Sequence, residues 1–156
     1  MSEIIINKAR ACAVTGHRIV EKDLDKKCLT SIFTQLLEKG FDTFLIGMAL
    51  GFDTICFNIL HLLKQTFQLK IIACIPCENQ DYKFTFEQKK NYKKMLETAD
   101  EKIYISKEYT PYCMQKRNRF MVDNASALVA YYRHEKTGTS YTVNYALKQN
   151  VSVIRV

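Results

Sequence analysis

Short apolar runs alternate along the chain with stretches whose apolar residues recur every three or four positions. Ala11-Cys12-Ala13-Val14-Thr15, ended by Gly16, predicts a first buried strand. Between Glu21 and Lys39, Leu24, Cys28, Ile32 and Leu36 line one face, and Leu29, Phe33 and Leu37 widen it; this predicts a helix that Gly40 stops. A second strand over 41–46 runs into Gly47-Met48-Ala49-Leu50-Gly51, and Asp53 is placed to cap a helix with Cys56, Ile59, Leu60 and Leu63 on its core face. A third strand over 69–75 is broken by Pro76. The segment 79–88 is polar and aromatic, without a clear period. Beyond it the pattern predicts helix 89–99, with Tyr92, Leu96 and Ala99 on one side, strand 102–106, helix 112–123, strand 127–132, helix 140–149 and strand 151–156.

Strands separated by helices favour a mostly parallel sheet of about six strands with helices on both faces, an α/β three-layer sandwich. The chain has 156 residues, the size of one ordinary domain, with no repeat or linker, so residues 1–156 are expected to form a single domain. Hydrophobic residues make up 47% and charged residues 25%, the balance of a globular protein and not of a disordered one. The net charge of +7 suits an anionic ligand, a nucleic acid or an acidic surface, and selects none of them. No apolar run approaches the roughly 20 residues of a membrane span. The start, Met1-Ser2-Glu3-Ile4-Ile5-Ile6, lacks the pattern of a signal peptide. The expectation is a cytoplasmic protein without a membrane partner.

Six cysteines in such a chain read as thiols. Only Cys74-Ile75-Pro76-Cys77 has metal or redox spacing. No second pair accompanies it, and His17, His61 and His134 are isolated, so no metal is expected and the two cysteines read as a strand end and the loop after it.

In an open parallel sheet, ligands bind beyond the carboxyl ends of the strands. Those points here carry Thr15-Gly16-His17-Arg18, then Gly47 through Gly51 with Phe52-Asp53, and Gly138-Thr139-Ser140. Glycines admit close backbone approach, while hydroxyls and free N–H groups suit phosphate oxygens. The dinucleotide, P-loop and hydrolase-elbow fingerprints are all absent.

These loops, together with Tyr109-Thr110-Pro111-Tyr112-Cys113-Met114-Gln115-Lys116-Arg117-Asn118-Arg119-Phe120-Met121-Val122-Asp123 and Gly138-Thr139-Ser140-Tyr141-Thr142-Val143-Asn144-Tyr145-Ala146, resemble the YpsA-like proteins of the SLOG superfamily. The resemblance runs in order over nearly the whole chain. It implies a Rossmann-like fold and a nucleotide or nucleotide-derived ligand, such as one of ADP-ribose type, bound by a sensor, regulator or sequestering protein. It leaves two alternatives open. One is N-glycosidic cleavage, as in the related LOG phosphoribohydrolases; Arg117 matches their arginine, but Thr142 stands at their catalytic glutamate and supplies no carboxylate. The other is single-stranded nucleic-acid binding, as in the related DprA, through Lys89, Lys90, Lys93 and Lys94 on one helix face.

The expected ligand-binding residues are Thr15, Gly16, His17, Arg18, Gly47, Gly51, Asp53, Glu78, Arg117, Asn118, Gly138, Thr139 and Ser140, with no catalytic residue assigned and no cofactor. Arg117 is the expected phosphate clamp. Asp53 is either a helix cap or a ribose ligand, and Tyr82, Phe84 and Phe86 are either a stacking lid or buried packing. Apolar helix faces would suit a homodimer, common in related folds.

Overall fold

A computed structural model describes residues 4–156. Met1-Ser2-Glu3, part of the start that lacks a signal-peptide pattern, lies outside the described residues. The elements are β1 (Ala11–Gly16), α1 (Lys26–Glu38), β2 (Thr43–Ile46), α2 (Phe52–Leu63), β3 (Lys70–Ile75), α3 (Phe86–Thr98), β4 (Glu101–Tyr104), α4 (Cys113–Asp123), β5 (Ala127–Tyr131), α5 (Gly138–Lys148) and β6 (Ser152–Arg155). A short 3₁₀ turn, Lys8–Arg10, precedes them.

All six strands are parallel, in the order β4-β3-β2-β1-β5-β6. Alternate residues of each strand face opposite sides, and each side is covered. Cys12, Val14, Phe44, Ile46, Ile71 and Ala73 pack with Leu29 and Phe33 of α1, Phe57 and Leu60 of α2, and Tyr92 and Met95 of α3. Ala11, Ala13, Leu45, Ile72, Cys74 and Leu128 pack with Met121 and Val122 of α4 and with Val143 and Ala146 of α5. Three helices thus cover one face and two the other, which is the α/β three-layer arrangement the hydrophobic pattern implied. Among the described residues no helix is long and apolar enough to cross a membrane.

Helix ends follow local chemistry more closely than the apolar period did. α1 begins at Lys26 and not near Glu21, because the Asp25 carboxylate accepts the N–H groups of Lys27 and Cys28. It ends in a Schellman turn: Gly40, at φ +105, donates to the Leu37 carbonyl and Phe41 donates to that of Leu36. α3 starts three residues before the predicted helix because Thr85 and Gln88 form a capping box. Thr137 and Ser140 form another, which moves the start of α5 back to Gly138.

Gly51 begins α2 at φ +81, and a Cβ there would run into the carbonyl of Arg18. Gly40 has the same sign of φ but open space around it. Gly40→Ala is therefore expected to lower stability by about 1–2 kcal/mol, the cost of holding an L-residue at positive φ. Gly51→Ala should lose clearly more, because the Arg18 loop must also move. Urea titration of both variants checks this; equal losses would mean that the loop yields freely.

Candidate functional site

The direction of chain travel changes beside β1, which pairs with β2 on one side and with β5 on the other. In parallel sheets this is where a ligand crevice opens, but here it is filled. His17 N–H donates to the Tyr131 carbonyl at 3.3 Å, and the His17 carbonyl accepts from Phe52 N–H at 3.1 Å. The Phe52 ring stacks on Tyr131 at 5.5 Å. A Cβ on Gly16 would collide with the Phe52 side chain, so Gly16 is what lets this ring close over β1. His17 Nε2 accepts the Arg133 N–H at 2.8 Å. Burial, with His134 and Arg133 beside it, lowers its pKa and keeps the ring an acceptor.

One strand over, the carboxyl ends of β2 and β3 meet a buried guanidinium. Arg117, on α4, is 5% exposed. Its Nη1 donates to the carbonyl of Gly47, to that of Cys74 at 3.4 Å and to Gln80 Oε1 at 3.4 Å, while Nε donates to Asn118 Oδ1 at 2.8 Å. A Cβ on Gly47 would stand 2.7 Å from Nη1, so that glycine makes room for the guanidinium. Burial pulls the arginine's pKa down, and Asp53 opposes the shift. Asp53 is buried in the first turn of α2. Its Oδ2 accepts the Ala49 N–H at 3.1 Å, and its Oδ1 has no partner among the described residues. Burial pushes its carboxyl up to about 6, against the pull of Arg117, the Ala49 N–H and Arg18. Gly51, not Asp53, is the N-cap of α2, so the carboxylate ties the preceding loop instead of closing the helix start. Met48, in that loop, holds φ 63 with its side chain buried.

Above this floor lies a cavity of about 670 Å³. Arg18, Ala49, Leu50, Cys77, Asn79, Gln80, Lys83 and Met114 line it, with Tyr82, Phe84 and Tyr109 as aromatic walls. Of the expected residues only Arg18 is in this lining, where Nη2 rests 3.4 Å from the Met114 sulfur. Glu78 is exposed on the loop beside it, its N–H donating to the Lys107 carbonyl at 3.2 Å. Thr15 is buried in β1, in register with Ala130.

The remaining expected residues lie at α4 and α5. Asn118 and Gly138 line a separate cavity of about 340 Å³ with Gln115, Arg119, Tyr141 and Thr142. Thr139 and Ser140 are buried, and the Ser140 hydroxyl is used in the capping box. The Thr142 hydroxyl donates to the Gly138 carbonyl at 2.9 Å. The structure therefore scatters the expected site: Arg18 lines the larger cavity, Arg18 and Gly51 a neighbouring one, Asn118 and Gly138 the smaller one, and Arg117 is buried between Gln80 and Asn118.

Cys74 is buried in β3, and burial raises its thiol to about 12. Cys77 lies in the loop after that strand, as the sequence suggested, and burial together with the Cys113 thiol raises its pKa. No group of three or more His, Cys, Asp or Glu side chains among the described residues could hold a metal ion.

The YpsA family model, that of the YspA SLOG family, matches residues 13–153. The chain belongs to this SLOG family. A relative, the uncharacterized SPbeta prophage-derived protein YoqJ of Bacillus subtilis (strain 168), is 35% identical over 138 residues, covering 80% of this chain and 81% of its own. The DNA processing protein A of Streptococcus pneumoniae shares the fold at TM-score 0.72 and 18% identity; the match covers 94% of this chain and 50% of that one. That of Helicobacter pylori, a protein with a single-stranded DNA binding mode, gives 0.68 and 19%, covering 95% and 65%. The SLOG chain thus spans about half to two thirds of those two proteins, and at these identities the likeness is one of fold.

The sequence reading of this SLOG chain missed Asn79, Gln80, Lys83, Tyr109 and Met114. Glu78 and the alternating aromatics at 82, 84 and 86 pointed to the loop after β3, and the aromatics divide: Tyr82 and Phe84 line the cavity, while Phe86 is exposed on the first turn of α3.

Asp53 sets a pH dependence. A carboxyl raised on folding stabilises the protein below its unfolded value and loses that contribution as pH rises through the folded one. The rise from 3.8 to about 6 is worth roughly 3 kcal/mol. Wild-type stability should therefore fall, relative to Asp53→Asn, between about pH 4 and pH 7. Urea titrations across that range check the sign; parallel profiles would show an ordinary carboxylate.

Proposed function

We propose that this chain binds a nucleotide or nucleotide-derived ligand, of ADP-ribose type, in the cavity at the carboxyl ends of β2 and β3, as a sensor, regulator or sequestering protein. The observation that carries this reading is the cavity's composition. Two cations, Arg18 and Lys83, and three aromatic rings surround about 670 Å³, above a floor already held rigid by Arg117. That volume lies within the range of roughly 300–1,000 Å³ typical of small-molecule sites. Cations suit phosphates and aromatic faces suit bases. Arg18 takes the role of phosphate partner because it lines the cavity, whereas Arg117 lies buried beneath it with Nε and Nη1 donating to protein carbonyls and amides. Gly47, Gly51 and Asp53 shape the loop that places Arg18 and Ala49.

The second reading is N-glycosidic cleavage by an acid other than the missing glutamate. Asp53, whose carboxyl burial pushes up to about 6 and whose Oδ1 has no partner among the described residues, lies beneath the cavity and outside its lining, so it would act only if the floor opened. Incubation with nucleoside monophosphates and with NAD, read for released base, separates the two. Release lost in Asp53→Asn supports cleavage, whereas intact ligand supports binding.

Native mass spectrometry of gently purified protein, followed by calorimetry with ADP-ribose and AMP, tests the binding reading. Arg18→Ala should weaken binding at least about tenfold with little change in thermal stability, as expected for an exposed charge-assisted contact. Arg117→Ala should lower affinity and melting temperature together, because it strips donors from buried carbonyls. Unchanged affinity in Arg18→Ala would remove the cavity from the ligand's path.

A further inference from the structure

Gln80 sits in the wall of the larger cavity, on the loop between β3 and α3. Successive turns hold this loop: Gln80 N–H donates to the Cys77 carbonyl, Tyr82 N–H to that of Asn79 and Phe84 N–H to that of Asp81. The Phe84 ring then packs edge-on against Tyr92 of α3 at 5.5 Å. Two buried groups hold the Gln80 amide itself from behind. Arg117 Nη1 donates to its Oε1 at 3.4 Å, and its Nε2 donates to the Tyr92 hydroxyl at 3.2 Å. A guanidinium has no acceptor, so the amide oxygen must face Arg117 and the nitrogen must face Tyr92. A flip would set an amide N–H against the guanidinium, whereas the Tyr92 hydroxyl can accept or donate and would follow; Arg117 alone fixes the order.

A glutamine held in this way keeps one N–H and one oxygen lone pair for a ligand, and their order in space is fixed. Side-chain amides pair with the adenine edge, where an amine donor lies beside a ring-nitrogen acceptor. A free glutamine would adapt to the reversed order of hypoxanthine by turning its amide over; this one would have to leave Arg117. Tyr82 and Tyr109, 74% and 62% exposed, stand on the same cavity and offer faces for a planar ring. Arg18 and Lys83 supply the phosphate side.

We infer that Gln80 is the specificity-determining residue of this cavity, reading an amino-bearing nucleobase of adenine type, and that its positioning residues are Arg117, which fixes its order of donor and acceptor, and Tyr92, which holds the amide in place. This rests on the ligand-binding reading above. The amide is ordered before the ligand arrives, so no rotamer freedom is lost on binding, and a ring of the wrong order leaves buried polar groups unpaired.

Calorimetry with AMP and IMP tests it, since the two differ at the edge Gln80 would read and share the same sugar and phosphate. The wild-type chain should bind AMP at least about tenfold more tightly than IMP. Gln80→Met, which keeps length and removes the amide, should bring the ratio close to one. Tyr92→Phe keeps the ring that packs on Phe84 and deletes only the hydroxyl, so it should reduce the ratio severalfold while the protein stays folded. Wild-type affinities within about twofold of each other, or a ratio that survives in Gln80→Met, would overturn the role of Gln80 and leave the ligand site standing. Failure of the wild-type chain to bind either nucleotide would overturn this inference, and retained binding of ADP-ribose in the same cell would show that the ligand-binding reading has not fallen with it.

Discussion

A guanidinium taken out of water must find acceptors for its N–H groups, and Arg117 finds them at the ends of two neighbouring strands. The carbonyl of Gly47 lies just past the end of β2 and that of Cys74 one residue before the end of β3. One side chain from α4 thereby closes both strand ends. The same group orients Gln80 and Asn118, the first on the larger cavity and the second on the smaller. Removing one partner from such a buried network leaves several groups unsatisfied at once. Gly47 has to be glycine for this reason, and Asp53 lies within the electrostatic reach of the same cation.

Much of the architecture was legible because its strands are apolar on both faces and its helices on one. The six strands and five main helices follow from runs such as Ala11–Thr15 and from the four-residue recurrence of Leu24, Cys28, Ile32 and Leu36. Boundaries slipped where a side chain competed with the period. Asp25 starts α1 later than its apolar stripe suggests, and Thr85 starts α3 earlier, within a segment too polar and aromatic to classify. Both are capping effects, local in sequence but silent in a hydrophobic pattern.

The site was legible in its glycines and less so in its geometry. Gly16, Gly47 and Gly51 are glycines because Phe52, Arg117 and the Arg18 carbonyl come too close for a Cβ. Their spacing marked the right end of the sheet without revealing what crowds them. A lone arginine on a helix reads equally well as a solvated charge, a phosphate clamp or a buried strut, since burial depends on residues 43 and 70 positions away. The same distance hid the cavity lining, which gathers Arg18, Asn79, Gln80, Tyr109 and Met114 from four loops or helix starts. Gly138 differs from the other loop glycines: its φ is not positive and nothing crowds it, so the fold itself makes no demand for glycine there.

The pairing of β1 with β5 also has a consequence for the order in which the chain becomes a protein. Thr15 lies opposite Ala130 and Gly16 opposite Tyr131, so the middle of the sheet joins residues more than a hundred positions apart. Until β5 emerges during synthesis, β1 can pair only with β2, and its other edge presents the unpaired backbone of Ala11–Gly16. An apolar strand edge left open is a template for another chain. The nascent protein passes through this exposed state before α4, with Arg117, and then β5 arrive to close it. A chain stopped after α3 would keep an adhesive edge at what should have been its centre.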